Sequence, residues 1–593
     1  MRISPRHALS LLIGGGFIVT ASQPAAAANP AGSAAATSQG SDPLLRYQWH
    51  ISNHGQAVIG DSRPVPGVDM DVDLLHALGI RGRHVKVAVV DIGLDIRHED
   101  LAANVIQNGS YSFRDGSHDP TPTNGDDHGT AVGGIIAAVG WNGRGGRGVA
   151  PEASLAGFDF GEWSVTGPAS VRYFWGDGPE SKRIDVFNNS WGSFTPFYQD
   201  FPVEDQRMWE ALMRSTRHGL GGVYTKAAGN SFNNLFGSDA GGNPIDLCQD
   251  IARALKVGCA LANLEILANL PGTIAVASID AQGKRAVYSS PGSAIWISGI
   301  GGLVGYQRQY APNAEQELGP LRGRFAYDPA IVTTDLAGCD QGSNADSNGP
   351  AVNALDTSTS AIDATCNYSA LMTGTSAAAP TVAGVTALML SVNPRLSARD
   401  VKYILATTAR QVDPWQPPAV YRGSVIDPGW ITNAAGHRFS NWYGFGLADA
   451  AAAVYQARYF TPLPAVRDTQ WVTSTVAPSQ IGGPARPAKH RVHITQAMTV
   501  EGAQLSFATS HRNPTDLRVV LQSPSGTRSY VLTPFSALDA RAYAQTGFYV
   551  DLTSSNAFLD EQAQGAWTLE VADMSDPTTE AALQNFKLRI LGH

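Results

Sequence analysis

Apolar and polar positions alternate with strand-like and helix-like periods from about residue 42 to 458. Runs of β-branched residues predict buried strands, as in VKVAVVD (85–91) and TIAVASI (273–279). Stretches with helical spacing lie between them, including HGTAVGGIIAAV (128–139) and SAAAPTVAGVTALML (376–390). Strands that alternate with helices predict an α/β domain built on a mostly parallel sheet.

The pattern changes after residue 458. Residues 459–490 are rich in Pro, Thr, Ser and Gly, which predicts a linker and the start of a further domain. Residues 491–593 contain short alternating runs such as LRVVLQS and KLRIL, typical of an all-β sandwich or jelly roll. Within the first domain, Ser397 followed by Asp400 predicts the N-cap of one more helix.

The first 28 residues have the pattern of a secretory signal peptide. Arg2 and Arg6 precede the apolar stretch LSLLIGGGFIVTA, and Ala25–Ala28 supplies small residues for cleavage. This stretch is shorter than the roughly 20 residues of a membrane span; an uncleaved interfacial helix is the alternative. We expect a flexible leader at 29–41 and a secreted, extracellular protein without a membrane span, exported through the periplasm if the source cell is Gram-negative.

Composition narrows the class of partner. The formal net charge is −9, charged residues make up 16%, and there is no long basic run. Phosphate binding needs clustered Lys and Arg, so we expect no nucleic-acid partner. The 62 glycines and 35 prolines indicate a globular protein with many turns.

Four cysteines fall into two close couples, Cys248 with Cys259 and Cys339 with Cys366. In an exported protein, cysteines in even number favour disulfides, and pairing within each couple is the simplest of three connectivities. Metal ligation is the alternative, but no His or Cys lies around them at zinc-finger spacing.

Three segments join a reactive side chain to a strand end or a helix start. Asp91 closes the strand in VAVVDIGLD, His128 opens the helix in DDHGTAVGG, and Ser376 lies in TGTSAAAP. Together such residues make a hydroxyl nucleophilic, because His takes the serine proton and Asp holds the imidazole tautomer. Each residue alone could equally be an ordinary cap.

The three segments resemble the signature blocks of the subtilisin-like serine proteases, in the order Asp, His, Ser that is known for subtilisin. Four stretches are similar to the kexin and furin branch in particular: DPLLRYQWHI, DVFNNSWG, NWYGFGLADA and, within the Ser376 segment, GTSAAAP. The region from DLRVVLQSPSGTRS to GAWTLEVADM looks like the P-domain of that branch. The resemblance covers about residues 42–593, with a peptidase domain at 42–458 and the P-domain at 491–593.

The resemblance implies roles for several more residues. Asn230 in AAGN would supply the side-chain amide of the oxyanion hole, beside the backbone N–H of Ser376. Ser190, Trp191 and Gly192 match the segment that pairs with an extended substrate peptide. Asn230 could instead be a turn residue, and Trp191 could equally be core.

Calcium is the cofactor that the resemblance implies. Two carboxylates with carbonyl oxygens of a Gly-rich loop suit this ion. The matching ligand positions are Asp42, Asp100, Val139, Asn142, Arg144 and Gly146.

Two features depart from the family pattern. The chain has room for only a short tail where subtilisins carry a pro-domain, so we expect a separate folding helper or unaided folding. Asp246 and Asp250 roughly match acids that recognise basic residues, but the glutamate expected near YSSPG (288–292) is absent. A second calcium is therefore not expected there, and both acids could be ordinary loop residues.

Three functions are compatible with these observations. The first is a secreted serine endopeptidase acting on polypeptides with a preference for basic residues, and the second is the same enzyme with broad specificity. The third is a catalytically silent binding protein on the same scaffold. An α/β-hydrolase esterase is disfavoured, since GxSxG with the order Ser, Asp, His is not found.

Overall fold

The structure, a computed structural model, describes residues 42–161, 168–192, 195–238, 244–575 and 580–593. The signal peptide and leader predicted at 1–41 lie outside these residues. The helices are α1 Asp73–Ala77, α2 His128–Ala137, α3 Pro168–Arg172, α4 Val203–Ser215, α5 Asp250–Leu255, α6 Ala314–Glu317, α7 Gly319–Arg322, α8 Thr375–Val392, α9 Ala398–Thr408 and α10 Ala450–Arg458.

The strands fall into two groups along the chain. Those before residue 440 are β1 Lys86–Asp91, β2 Tyr111–Ser112, β3 Ser154–Asp159, β4 Val186–Asn189, β5 Val223–Ala227, β6 Phe236–Ser238, β7 Pro244–Asp246, β8 Thr273–Ile279, β9 Ile295–Ile300, β10 Ile331–Thr334, β11 Tyr368–Met372, β12 Ala419–Tyr421, β13 Ser424–Asp427, β14 Ile431–Thr432 and β15 Arg438–Phe439. The later ones are β16 Arg467–Asp468, β17 Val472–Thr473, β18 Ser479–Gln480, β19 Ala488–Ile494, β20 Val500–Thr509, β21 Leu517–Gln522, β22 Arg528–Leu532, β23 Tyr549–Ser555, β24 Gly565–Asp573 and β25 Ala582–Gly592.

A seven-stranded sheet organises the first region, in the order β2-β3-β1-β4-β5-β8-β9. Every pairing along it is parallel, which confirms the predicted α/β class. Strands β4, β5, β8 and β9 are buried along their whole length. Parallel strands covered on both faces need continuous apolar runs, and VKVAVVD and TIAVASI have that pattern.

Helix α8 runs through the centre of this region. It packs against α2, α10 and the strands β4, β5, β8 and β9. Its alanines, glycine and threonines are buried, and such small side chains let the helix approach the sheet closely. By length and composition α8 is the one described helix that could cross a membrane, but 83% of it is buried inside the protein. The capping box predicted for α9 at Ser397 and Asp400 is present.

Both predicted disulfides are confirmed. Cys248 bonds Cys259 across 11 residues, and Cys339 bonds Cys366 across 27 residues. The first bond closes an insertion that contains α5, and the second closes the loop between β10 and β11. Each bond limits the freedom of a long loop in the unfolded chain.

The C-terminal region consists of two antiparallel sheets. One has the order β19-β24-β21-β22, and the other has β16-β25-β20-β23 with β17 and β18 also paired to β25. Buried and exposed residues alternate strictly along β19, as expected for a strand with one face in the core. Short strands within the predicted linker 459–490 pair with β25 and extend this sheet.

The C-terminal sandwich shares its core with the disulfide-closed insertion of the first region and with residues that flank this insertion. Leu235, Cys259 and Leu261 belong to the same apolar cluster as the inward-facing residues of both sheets. Backbone and side-chain hydrogen bonds cross the junction: Ala537 N donates to Cys259 O at 2.8 Å, and Asn263 Nδ2 to Thr553 Oγ1 at 2.8 Å. The two regions therefore fold against each other as one continuous unit.

Candidate active site

Five polar residues meet at one edge of the parallel sheet. Strands β1, β4 and β5 are neighbours, and Asp91, Ser190 and Asn230 lie at or just beyond their carboxyl ends. Helices α2 and α8 begin at the same edge and bring His128 and Ser376 there. In open α/β sheets the crevice at the carboxyl ends of the strands is the usual place for a ligand site.

Asp91 and His128 form a buried hydrogen-bonded pair. The distance from His128 Nδ1 to Asp91 Oδ1 is 2.7 Å, and the same oxygen accepts from the N–H of Ile92 at 2.9 Å. The Asp91 side chain is fully buried, whereas a quarter of the His128 side chain is exposed. Burial alone would lower the pKa of His128, but the Asp91 carboxylate outweighs it and raises that pKa to about 9.

The start of α2 requires a glycine next to His128. A Cβ at Gly129 would lie 1.8 Å from the carbonyl oxygen of Gly93, on the loop after β1. The helix can therefore approach the end of β1 only with glycine at this position, which is what brings the imidazole to Asp91.

Ser376 lies in the first turn of α8 and faces Ser190. Its Oγ donates to Ser190 O at 2.8 Å, and Ser190 Oγ donates in return to Ser376 O at 2.8 Å. Asn188 Nδ2 donates to Ser190 Oγ at 2.9 Å and holds that hydroxyl in place. The reciprocal pair fixes the end of β4 against the start of α8.

The amide of Asn230 is oriented by the residue before Ser376. Asn230 Oδ1 accepts from both N and Oγ1 of Thr375, each at 2.9 Å. Gly374 has a φ of 102°, and a Cβ there would lie 3.1 Å from Asn230 Nδ2. With its oxygen held by Thr375, the amide has its Nδ2 beside Gly374, the residue before α8.

Two residues that the sequence analysis missed hold the segment before the nucleophile. Tyr288 Oη accepts from Gly374 N at 2.9 Å and donates to Gly302 O at 2.7 Å. Thr375 Oγ1 accepts from Gly229 N at 3.1 Å, so this hydroxyl bonds both the backbone before Asn230 and the Asn230 side chain. Thr375 stands in the GTS motif and could have been found there, whereas Tyr288 is 86 residues from Gly374 and had no local signal.

The segment Ser190–Gly192 continues beyond the end of β4. Trp191 is 9% exposed, and its ring meets Phe160 edge to face at a centroid distance of 5.3 Å, so it belongs to the core. Gly192 is exposed. In this segment the Trp191 side chain is held in the core, while Ser190 contacts Ser376.

The acids expected in a specificity pocket are paired within their own loop. Arg253 forms ion pairs with Asp246 and with Asp250, the latter at 2.8 Å. Asp246 Oδ1 also accepts from the N–H groups of Leu235 and Cys248, at 3.1 and 3.0 Å. One guanidinium is therefore shared by the two carboxylates and offsets half of the charge that they would offer to a basic side chain.

Most of the expected calcium ligands converge on Asp100. Asn142 Nδ2 donates to Asp100 Oδ1 at 2.6 Å, and Gly146 N donates to Asp100 Oδ2 at 3.3 Å. Val139 N donates to Asp100 O at 2.8 Å, and Arg144 N donates to Asn142 Oδ1 at 2.9 Å. The loop after α2 is thus wrapped around this carboxylate.

Asp42 completes the set and leaves one oxygen available. Its Oδ2 pairs with Arg147 at 2.6 Å, while Oδ1 is buried and has no hydrogen-bond partner in the part of the chain that the structure describes. Burial raises the pKa of the Asp100 carboxyl to about 7, and the neighbouring Asp42 adds to that rise. No group of three His, Cys, Asp or Glu side chains at metal-binding spacing occurs among the described residues. Two carboxylates and loop oxygens nevertheless suit calcium, which binds oxygen of either kind.

Comparison with known proteins assigns both regions. Residues 82–446 match the model of the subtilase family, and residues 500–590 match that of the proprotein convertase P-domain. The Aeromonas extracellular serine protease of Aeromonas sobria is 36% identical over 575 residues, which cover 93% of this chain and 87% of that protein. The microbial serine proteinase of Aeromonas salmonicida is 31% identical, over 91% of this chain and 86% of that protein. Human furin is 27% identical, over 93% of this chain and 58% of furin.

Solved structures show the same relationship. The crystal structure of the serine protease of Aeromonas sobria superposes with a TM-score of 0.82 at 33% identity, covering 93% of this chain and 96% of that one. A second crystal structure contains that protease with the chaperone ORF2 and has the same TM-score, covering 93% and 95%. The chain therefore belongs to the subtilase family and is a serine endopeptidase with a proprotein convertase P-domain.

Proposed function

We propose that Ser376 is the nucleophile of this endopeptidase, with His128 as its general base and Asp91 as the residue that orients the imidazole. The observation that carries the proposal is the 2.7 Å bond between Asp91 and His128 at the sheet edge that also holds Ser376 and Asn230. Because Asp91 engages Nδ1, the serine proton passes to Nε2 of His128.

The acyl transfer follows from these positions. Ser376 Oγ leaves Ser190 O, gives its proton to His128 and attacks the substrate carbonyl carbon. Negative charge then develops on the substrate oxygen, and Asn230 Nδ2 with the backbone N–H of Ser376 would stabilise it. His128 returns the proton to the leaving amine, and water repeats the sequence on the acyl-enzyme.

Substrates would bind as extended peptides along Ser190–Gly192. The release of Ser190 O by Ser376 leaves a backbone acceptor for the substrate, as in the addition of a strand to an open edge. A preference for basic residues stays a prediction, since Asp246 and Asp250 would provide it only after displacement of Arg253. Broad specificity is the alternative.

The test is an assay of purified protein and of Ser376→Ala on peptides that place Lys-Arg, Ala-Arg or Pro-Phe before the leaving group. We expect turnover by the unmodified protein and a loss of about 10⁶-fold in Ser376→Ala, the size known for subtilisin in this family. Absence of activity in both proteins would support the catalytically silent binding protein instead. Fastest cleavage after Phe would remove the basic preference alone.

We also propose a calcium ion held by Asp42, Asp100, Asn142 and the carbonyls of the loop from Val139 to Gly146. The ion would compensate the buried Asp100 carboxylate and contact the Asp42 Oδ1 that Arg147 leaves unbonded, and so would stabilise the fold. A calcium chelator should lower the melting temperature by several degrees, because an ion that binds only the folded state stabilises it. In Asp100→Asn the chelator should shift the melting temperature less, and an equal shift in both proteins would exclude this site.

We propose, finally, that residues 1–28 direct export and that a separate helper assists folding. Two observations support this: the relative from Aeromonas sobria is named as an extracellular serine protease, and a solved structure of the serine protease of that species includes a chaperone. High yield of active enzyme from refolding of the isolated chain would show that no helper is needed.

A further inference from the structure

A lysine is buried in the middle of the sheet behind the active site. Lys226 lies in β5, four residues before Asn230, and its side chain has no exposed surface. An ammonium group in such a place is costly unless charge and hydrogen bonds compensate it. The triad mechanism gives this residue no role.

Three groups surround the ammonium of Lys226. Nζ donates a hydrogen bond to the main-chain oxygen of Trp191 and lies 3.9 Å from the centroid of its ring. Glu265 Oε2 lies 3.7 Å away, on a side chain that is only 4% exposed. Burial lowers the pKa of Lys226, and the Glu265 carboxylate opposes that fall. The Glu265 carboxylate at 3.7 Å favours the ammonium form of Lys226, and in that form the contacts with Trp191 are charge-assisted.

The register of the sheet explains why this contact falls on Trp191. Strand β4 pairs with β5 only as far as Asn189, which stands opposite Lys226 at the last rung. The backbone of the next residues, Ser190–Gly192, leaves the ladder and loses its hydrogen bonds to β5. The Lys226 side chain reaches forward from that last rung and binds the carbonyl of Trp191.

We propose that Lys226 is a positioning residue for the substrate-binding segment Ser190–Gly192: its ammonium replaces the missing ladder bond, and Glu265 supplies the compensating charge. The inference rests on the proposed binding of substrate along this segment. It also removes Glu265 from the acids that could attract a basic substrate side chain, because that carboxylate is paired internally.

Two double variants separate the hydrogen bond from the charge. Lys226→Met with Glu265→Gln removes the charge pair and the donor together, which avoids an unpaired buried charge. Lys226→Gln with Glu265→Gln is equally neutral but keeps an N–H donor at position 226. The readout is kcat/KM for a tetrapeptide amide divided by kcat/KM for a single-residue ester, since only the tetrapeptide needs the segment.

We expect the Met double variant to lower this ratio about tenfold, mainly through a higher KM for the tetrapeptide. The Gln double variant should recover part of the loss. A ratio equal to that of the unmodified enzyme in the Met double variant would overturn the proposal, as would equal losses in the two variants.

Lys402→Met is the matched control. Like Lys226, Lys402 uses its ammonium to bind main-chain carbonyls and lies close to a tryptophan ring. It donates to Pro271 O at 2.7 Å and to Thr273 O at 2.9 Å, and its Nζ lies 4.2 Å from the centroid of the Trp296 ring. None of these contacts involves Ser190–Gly192. Lys402→Met should therefore lower stability and leave the ratio of the two kcat/KM values unchanged. If Lys402→Met lowered this ratio as much as the Met double variant does, the effect of Lys226 would be explained by general destabilisation.

A fluorophosphonate that labels reactive serines distinguishes this inference from the proposed function. We expect Ser376 to be labelled in the unmodified enzyme and, at a rate within about threefold, in the Met double variant. This result would show that the lowered ratio of kcat/KM values comes from weaker substrate binding. No labelling of the unmodified enzyme would contradict the triad, whereas labelling lost only in the variant would contradict a positioning role limited to the substrate segment.

Discussion

The sheet edge with Asp91, His128 and Ser376 differs sharply from the loop with Asp246 and Asp250, although both were inferred from sequence in the same way. At the sheet edge each side chain contacts a residue far along the chain: Asp91 and His128 are 37 residues apart, and Ser376 and Ser190 are 186 apart. In the loop both acids pair with Arg253, seven and three residues away.

The comparison shows what makes a polar cluster suitable for catalysis. Contacts between distant segments depend on the completed fold, so the backbone of β1 and α2 fixes the distance between carboxylate and imidazole. Contacts within a loop form locally, and exposed ion pairs of this kind contribute only about 0.2–1 kcal/mol. Substitutions at the sheet edge should therefore have effects that are larger by orders of magnitude.

After Ser376→Ala, the largest effect is expected from Asp91→Asn. The amide keeps the volume of the carboxylate but stabilises the wrong imidazole tautomer and loses the charge that supports the imidazolium. We expect kcat to fall about 10⁴-fold, as in serine proteases with the same triad. Measurement of kcat with an unchanged far-UV spectrum would check it, and a loss below tenfold would contradict the assigned role.

A smaller loss is expected from Asn230→Ala. Removal of one oxyanion donor should lower kcat about 10²–10³-fold with little change in KM, a range that comes from subtilisin itself. Thr375→Val removes a hydroxyl that binds Asn230 Oδ1 while leaving the Asn230 amide in place, and should cause a part of this loss. A pure rise in KM for Asn230→Ala would point to substrate binding instead.

The pH profile should show a limb set by His128. The imidazole must be neutral to accept a proton, so kcat/KM should rise with pH, be half-maximal near the pKa of about 9 and level off above it. In Asp91→Asn the carboxylate that raises this pKa is absent, and the residual activity should reach its plateau at lower pH.

The same raised pKa makes the free energy of unfolding depend on pH. The pair of His128 with Asp91 stabilises the folded state fully below the unfolded pKa of histidine, about 6.5. This contribution is lost as pH rises through about 9.

The smallest effect concerns the acidic loop. Arg253→Gln releases Asp246 and Asp250, and the preference for Lys-Arg over Pro-Phe peptides should rise about two- to fivefold if these acids face the substrate. Arg308→Gln, which breaks the exposed pair of Arg308 with Glu315, is the matched control and should leave the preference unchanged. An unchanged preference in Arg253→Gln would show that the two acids take no part in specificity.

Much of the fold and family could be predicted from sequence because the signals are local. The apolar runs of β1 and β8, the capping box of α9 and the close cysteine couples each occupy a short stretch of chain. The segments around Asp91, His128 and Ser376 carry such short motifs, so they too were found.

Residues whose roles depend on distant partners were not found. Tyr288 and Glu265 have no motif, and their contacts with Gly374 and Lys226 exist only after folding. Lys226 could have been noticed in the sequence, because it places a charged residue in the buried strand of GGVYTKAAGN. The pairing of Arg253 with Asp250, three residues earlier, follows from helix geometry in α5 and could have been anticipated. Its pairing with Asp246 could not, because that residue lies outside the helix, in β7.

The core shared by the sandwich and the disulfide-closed insertion has a consequence for building chimeras. A P-domain taken from a relative would meet Cys259, Leu261 and Asn263 on a surface shaped for Ala537 and Thr553. The P-domain is thus not an exchangeable module with a boundary near residue 460. A graft that keeps these contacts has to exchange two separate stretches of gene together, the sandwich and the segment from Cys248 to Asn263.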